Sequence, residues 1–163
     1  MTTDNKQAAM RLAGQADQVG RVSGRQLWRA TLKWLSCGRL GRRRGWPVLP
    51  ELTTPWQDTI APERTGWRQR AANLDDDHAF SVDYVICRRC RLGWTEMPYT
   101  LPQYQRCGLA TAGLTTLRTE HPGLSWHTLG GHYQDSRPFW TTIGAGVPGG
   151  YQQRALCDHI TDF

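Results

Sequence analysis

The sequence predicts an α/β (α+β) chain, and three observations carry that expectation. Ser23-Gly-Arg-Gln26 has the form of a helix capping box ahead of Leu27, Trp28, Thr31, Leu32 and Leu35, which recur at helical spacing. Val82, Tyr84 and Ile86 alternate as in a strand, and Leu92, Trp94 and Glu96 begin another, so that residues 81–96 read as a hairpin. Finally, Tyr99-Thr-Leu-Pro-Gln-Tyr-Gln-Arg-Cys-Gly-Leu-Ala110, continued by Thr-Ala-Gly-Leu-Thr-Thr-Leu-Arg118, reads as a strand, a tight turn and a helix. Gly108 and the small Ala110 stand where the turn becomes the helix.

The 163 residues fit one domain, and 39% hydrophobic content with 8 Trp is enough for a real core. A mean hydropathy of -0.59 without a long apolar run argues against a membrane span. The polar start, Met1-Thr-Thr-Asp-Asn-Lys6, lacks an apolar signal region, so a cytoplasmic location is expected. Charge is uneven: residues 1–49 hold ten of the twenty Lys/Arg but only two acids, Asp4 and Asp17. This basic portion is read as helical. It is suited to nucleic acid, an acidic protein or an anionic substrate, while a solvated Arg-rich face is its plainer role.

Taken in order, residues 1–20 show no strong pattern and are expected to fray. The helix after Ser23 places Arg25, Arg29 and Lys33 on a face away from its apolar side, with Gly38 as a stop. Its apolar face, about three turns long, suits core packing better than a membrane surface. Pro47, Pro50, Pro55 and Pro62 punctuate residues 39–78, leaving short strands or turns and a helix around 62–73. Asp75-Asp-Asp-His78 reads as a solvated turn. Beyond the turn-to-helix segment, 124–129 reads as a strand, 135–146 as a helix starting near Pro138, and 151–156 as a last strand after a glycine-rich connection.

The turn before the helix gathers free backbone N–H groups and the positive end of a helix dipole, a place suited to phosphate. Its spacing, Gln105-x-x-Gly108-x-Ala110, fits neither the three-glycine dinucleotide fingerprint nor a P-loop. It resembles the pyrophosphate loop of the GNAT acyl-CoA N-acyltransferase superfamily, Gln/Arg-x-x-Gly-x-Gly/Ala. The Leu101-Pro-Gln-Tyr104 lead-in, the 124–129 strand and the following helix stand in that family's order. The resemblance covers roughly residues 81–155, and the first strand and first two helices of the family have no clear counterpart.

This resemblance implies a GNAT-like mixed, mostly antiparallel sheet with helices on both faces and an atypical N-terminal portion. The family's fourth strand, here 91–101, splays from its fifth to admit the pantetheine of acetyl-CoA. The backbone around Met97, Tyr99 and Leu101 would pair with it, and amides of Gln105, Arg106, Cys107, Gly108, Leu109 and Ala110 would hold the pyrophosphate. The implied reaction is direct acetyl transfer to an amine, which needs a base, donors to the carbonyl oxygen and a proton for the leaving thiolate. Glu96 is the first candidate base and His127 the second. The chain departs from the family at Phe139-Trp140, where Trp stands in place of a proton-donating Tyr: either Tyr133, Ser136 or Tyr151 substitutes, or solvent protonates the thiolate, or the chain keeps the acyl-CoA architecture without the usual catalysis.

A second chemistry is written in the cysteines. Cys87-Arg-Arg-Cys90 lies at the hairpin turn, where two thiolates come within reach of one tetrahedral ion, and Cys157-Asp-His159 completes a candidate Cys3His zinc set. A disulfide is disfavoured in a reducing compartment, and unligated thiols are the plainer alternative. Cys37 and Cys107 are left over. Two readings follow: an acyl-CoA N-acyltransferase whose acceptor is a small molecule, a protein or an aminoacyl-tRNA, or a zinc-stabilised adaptor whose basic portion binds nucleic acid.

Overall fold

The computed structural model describes residues 3–21, 54–75 and 77–160. The elements run α1 (Thr3–Ala13), β1 (Val19–Arg21), β2 (Trp56–Ile60), β3 (Arg68–Leu74), β4 (Asp77–Cys87), β5 (Leu92–Thr100), α2 (Leu109–Glu120), β6 (Ser125–Thr128), α3 (Arg137–Gly144) and β7 (Gln152–Gln153). The seven strands form one sheet in sequence order. The long strands β2 to β5 make an antiparallel meander, while β1 joins β2, and β6 joins β5 and β7, by short parallel ladders. The fold is therefore the expected α+β class with a mostly antiparallel sheet. Among the described residues no helix is long and apolar enough to cross a membrane.

Strand alternation divides the core into two. Phe80, Val82 and Tyr84 of β4 face Leu12 of α1, Leu114 and Leu117 of α2, and Trp140 and Ile143 of α3. Trp94 and Leu92 of β5 face the other way, into a smaller cluster with Ala61, Trp67 and Cys87, against which Leu129, Leu156, Cys157 and Ile160 pack. The resemblance leads one to expect helices on both faces. The three described helices all serve the first cluster, and the second is covered by the C-terminal segment.

Further expectations differ from what is observed: Asp77 and His78, read as part of a solvated turn, open β4 and pair with Leu74 and Asn73, while the predicted helix after Ser23 lies outside the described residues. Residues 3–13 are helical: their core face is built of Ala9, Leu12 and, beyond the helix, Ala16, a weak hydrophobic signal, and the indole of Trp56 fixes the helix end by donating to Leu12 O at 2.8 Å. Residues 68–74 form a strand where a helix was expected. Its inward positions include Arg70, wholly buried, which reads as polar in sequence. Arg70 is satisfied by Asp58 at 2.8 Å and Glu120 at 2.6 Å, and Asp58 also accepts from Arg68 and, at 2.6 Å, from the Tyr84 hydroxyl. The last strand is only two residues long, because the backbone leaves the sheet after Gln153.

Candidate functional site

The site begins where two strands part. β5 and β6 pair at Leu92 with Ser125, Gly93 with Trp126 and Trp94 with His127; β6 then ends at Thr128 while β5 continues to Thr100. Trp126 can lie flat across β5 because residue 93 is glycine: a Cβ there would sit 2.8 Å from its ring. On the β4 side the register shifts between Ser81 and Asp83, so Met97 and Pro98 together oppose Val82. Met97 takes φ 49° to make this bulge. The 95–100 backbone is thereby turned out with no β6 partner, and the Met97 and Tyr99 side chains are exposed.

The same strand runs into the loop. A 3-10 turn, Pro102–Tyr104, leads to Gln105, whose amide side chain donates to Thr100 O at 3.3 Å. Arg106 at φ 62° and Gly108 at φ 84° both occupy the left-handed region, and α2 starts at once, with the Ala112 amide donating to Gly108 O at 2.9 Å. Gly108 at the N-cap has no side chain to cap this helix, so among the described residues the Leu109, Ala110 and Thr111 amides are open to an external acceptor. Glycine at 108 answers the backbone angle rather than crowding, since a Cβ would meet only Ala13, at 3.9 Å. Cys107 turns into the core and Leu101 is half-buried against it. Met97, Tyr99, Leu101 and the 105–110 loop therefore lie along one continuous stretch at one end of the sheet.

Glu96 spans the parting. Its Oε1 accepts from the Leu129 amide at 2.5 Å and the Gly130 amide at 3.3 Å, while Oε2 stands 3.8 Å from Arg64. Its cross-strand neighbour Asp83 is buried, is bonded by Gln69 at 3.1 Å and lies 3.9 Å from the same guanidinium. Burial holds the Asp83 carboxyl above its ordinary value, against the pull of Gln69 and Arg64. Arg64, Asp83 and the two amides escape sequence reasoning; the one available signal is Asp83 interrupting an apolar strand.

His127 lies beneath Trp94 with both nitrogens engaged, Nδ1 with Gln152 O at 3.2 Å and Nε2 with Ser125 Oγ at 3.1 Å. Desolvation lowers its pKa, only partly offset by the Gln152 carbonyl. The ring is a packed one, with neither nitrogen free. Among the proton-donor candidates, Tyr133 is 86% exposed on the connection after β6. Ser136 Oγ is turned back to Tyr133 O at 2.9 Å. Tyr151 is fully buried and accepts from Arg118 at 3.0 Å. Trp140 stacks on His132 at 4.7 Å, a packing role.

The four predicted metal ligands do meet. Cys87 closes β4, Cys90 sits in the turn, and a turn in which the Ile160 amide donates to Cys157 O brings Cys157 and His159 back to the hairpin. Their ligand atoms all lie within 4.8 Å of one another, with Cys90 Sγ 3.2 Å from His159 Nδ1. The Cys90 amide donates to Cys87 Sγ at 3.4 Å and lowers the pKa of that thiol, whereas the neighbouring Cys157 and Cys87 sulfurs push Cys90 up to about 11. Three sulfurs and one imidazole held this close suit a tetrahedral divalent ion, which would favour the thiolate form of each sulfur it binds. Compared with family models, with curated proteins and with solved structures, the chain matches none.

Proposed function

We propose that this chain is an acyl-CoA-dependent N-acyltransferase that moves an acetyl group from acetyl-CoA to an amine by direct attack. The observation that carries this reading is the succession, on one strand, of a freed and bulged backbone edge (95–100) and a left-handed, uncapped turn opening α2. The edge offers peptide groups to an extended amide-bearing arm, and the turn offers amides to a pyrophosphate a strand-length away.

In this mechanism the Met97–Leu101 backbone orients the arm of acetyl-CoA and the Gln105–Ala110 amides hold its phosphates. Glu96, at the parting, takes the proton from the amine as nitrogen bonds to the thioester carbon. The carbon–sulfur bond breaks, and the thiolate receives a proton from Tyr133 or from water. Glu96 is preferred over His127 because neither imidazole nitrogen is free. The Cys87, Cys90, Cys157 and His159 donors are assigned to zinc, in a structural role. A cytoplasmic location belongs to the same proposal, since thiols of this kind persist in reducing compartments.

That Cys3His cluster is also the observation behind a second reading, a zinc-supported adaptor without catalysis. Calorimetric titration with acetyl-CoA and with CoA separates the two. Micromolar binding that is lost in a folded Gly108→Val variant is the expected result. An absence of binding by the metal-loaded protein overturns the acyltransferase reading.

A further inference from the structure

We propose that metal at Cys87, Cys90, Cys157 and His159 holds the 154–160 segment as the wall that positions Glu96, so that metal loading sets the acceptor side of the site and leaves the CoA side unchanged. The terms acceptor and CoA rest on the acyltransferase reading; the coupling of metal to Glu96 does not.

A chain of contacts makes the connection. Two of the ligands belong to the C-terminal segment and two to the β4–β5 turn, so the metal ties a segment without regular structure to the rigid meander. The segment then runs beside the parting: the Arg154 amide donates to Thr128 O at 2.8 Å, and Arg154 O accepts from the Trp94 indole at 3.0 Å. Leu156, Cys157 and Ile160 pack in the cluster that also receives Leu129. Leu129 and Gly130 supply the two amides that hold Glu96 Oε1. Residues 128–130 are thus fixed from one side by the metal-held segment and from the other by the carboxylate, which makes 154–160 a positioning element for Glu96.

The CoA side is built differently. The 105–110 loop and α2 belong to the core on the opposite face of the sheet, through Tyr104, Cys107, Leu109, Leu114 and Leu117, and no residue of 154–160 contributes to that cluster. Without metal, among the described residues the segment is held to the sheet by one apolar contact surface, the Arg154 amide bond to Thr128 O, the Trp94 indole bond to Arg154 O and the Cys90–His159 contact, so local opening is expected there before the sheet is disturbed.

Hydrogen exchange read peptide by peptide on the full chain, zinc-loaded and after chelation, tests this. Exchange at 128–130 and 152–160 is expected to quicken by about tenfold or more on chelation, with α2 unchanged. Calorimetry is expected to give CoA affinities within about twofold, and acetyl transfer is expected to fall. Equal protection of 128–130 in both states overturns the proposal. If chelation melts the whole domain, His159→Asn, which keeps the three thiols, repeats the comparison; global melting there as well makes the metal a determinant of the entire fold and also overturns it. Failure of the zinc-loaded protein to bind CoA defeats the acyltransferase reading alone, because the exchange comparison needs no ligand.

Discussion

Glu96 and Leu129 are joined across the point where β5 leaves β6, carboxylate oxygen to backbone amide at 2.5 Å. This contact leaves the second carboxylate oxygen toward Arg64, so one side chain both braces the parted strands and presents an acceptor atom beside them. Glu96→Gln separates the two duties. The amide oxygen still accepts from Leu129 and Gly130, while the base is gone. Turnover is expected to fall by about 10²–10⁴ with acetyl-CoA affinity within about twofold. Initial rates with calorimetry check it, and retention of most of the activity removes Glu96 as base.

The buried charges over β2 and β3 make a stability prediction. Arg70 is wholly buried between Asp58 and Glu120, and Asp58 also accepts from Tyr84 and Arg68. Burial pushes the Asp58 carboxyl up, but the Tyr84 hydroxyl and Arg70 outweigh it and hold the group below its ordinary value. Asp58→Ala strips Arg70 and Tyr84 of a shared acceptor. A loss of about 3–5 kcal/mol is expected from urea denaturation, the range for one partner removed from a buried pair. A loss under about 1 kcal/mol would mean that Glu120 alone satisfies Arg70.

How far the sequence could be read follows from this same network. Strand β4, the β5 hairpin, the turn at Gly108, α2 and the meeting of Cys87, Cys90, Cys157 and His159 were legible, because period-2 alternation, a positive-φ glycine and thiol spacing are local signals. Strand β3 was not: Arg68 and Arg70 occupy inward positions, and only Asp58 and Glu120, 12 and 50 residues from Arg70 in sequence, make them tolerable there. Helix α1 was hidden because alanines form much of its core face. At the candidate site, Glu96 was accessible from strand position, whereas Arg64 and the Leu129 and Gly130 amides join it only through the folded backbone.

Stability should fall in mild acid. His78, His121 and His127 all have pKa values lowered from 6.5, chiefly by desolvation. A base held neutral in the fold and free to protonate in the unfolded chain favours the fold fully above 6.5, and that contribution is lost as pH falls through 6.5 toward the lowered values. Asp58, with its lowered pKa, loses its contribution only further down, below 3.8. Urea midpoints at pH 8, 6 and 5 are expected to decrease in that order. His127→Gln should flatten the decline, and an unchanged slope would show that His127 ionises in the fold as it does unfolded.

Metal content has its own outcome. About one zinc per chain is expected by elemental analysis, and Cys90→Ala, which removes the sulfur 3.2 Å from His159 Nδ1, is expected to lower it well below that. A fully folded wild-type preparation free of metal would exclude an essential site and leave three ordinary thiols and one imidazole side by side.

Two glycines of the same helix region respond differently to alanine. Gly113 lies inside α2, where alanine would ordinarily add about 1 kcal/mol of helix propensity. A Cβ there would stand 2.6 Å from Phe80 Cε1 and 3.0 Å from Trp56 Cζ3, both rings fully buried in the core. Neither ring can move without displacing α1 or the sheet, so overpacking, at about 1–3 kcal/mol, is expected to exceed the propensity gain and leave Gly113→Ala net destabilised. Gly108→Ala meets only an ordinary contact with Ala13 at 3.9 Å, and its penalty comes from φ 84°, about 1–2 kcal/mol. The two are distinguished by Phe80→Leu, which removes part of the ring wall: it should rescue Gly113→Ala and leave Gly108→Ala unchanged. Equal rescue of both would mean that helix α2 shifts as a unit and that the turn at Gly108 is not mechanically separate from the core beneath it.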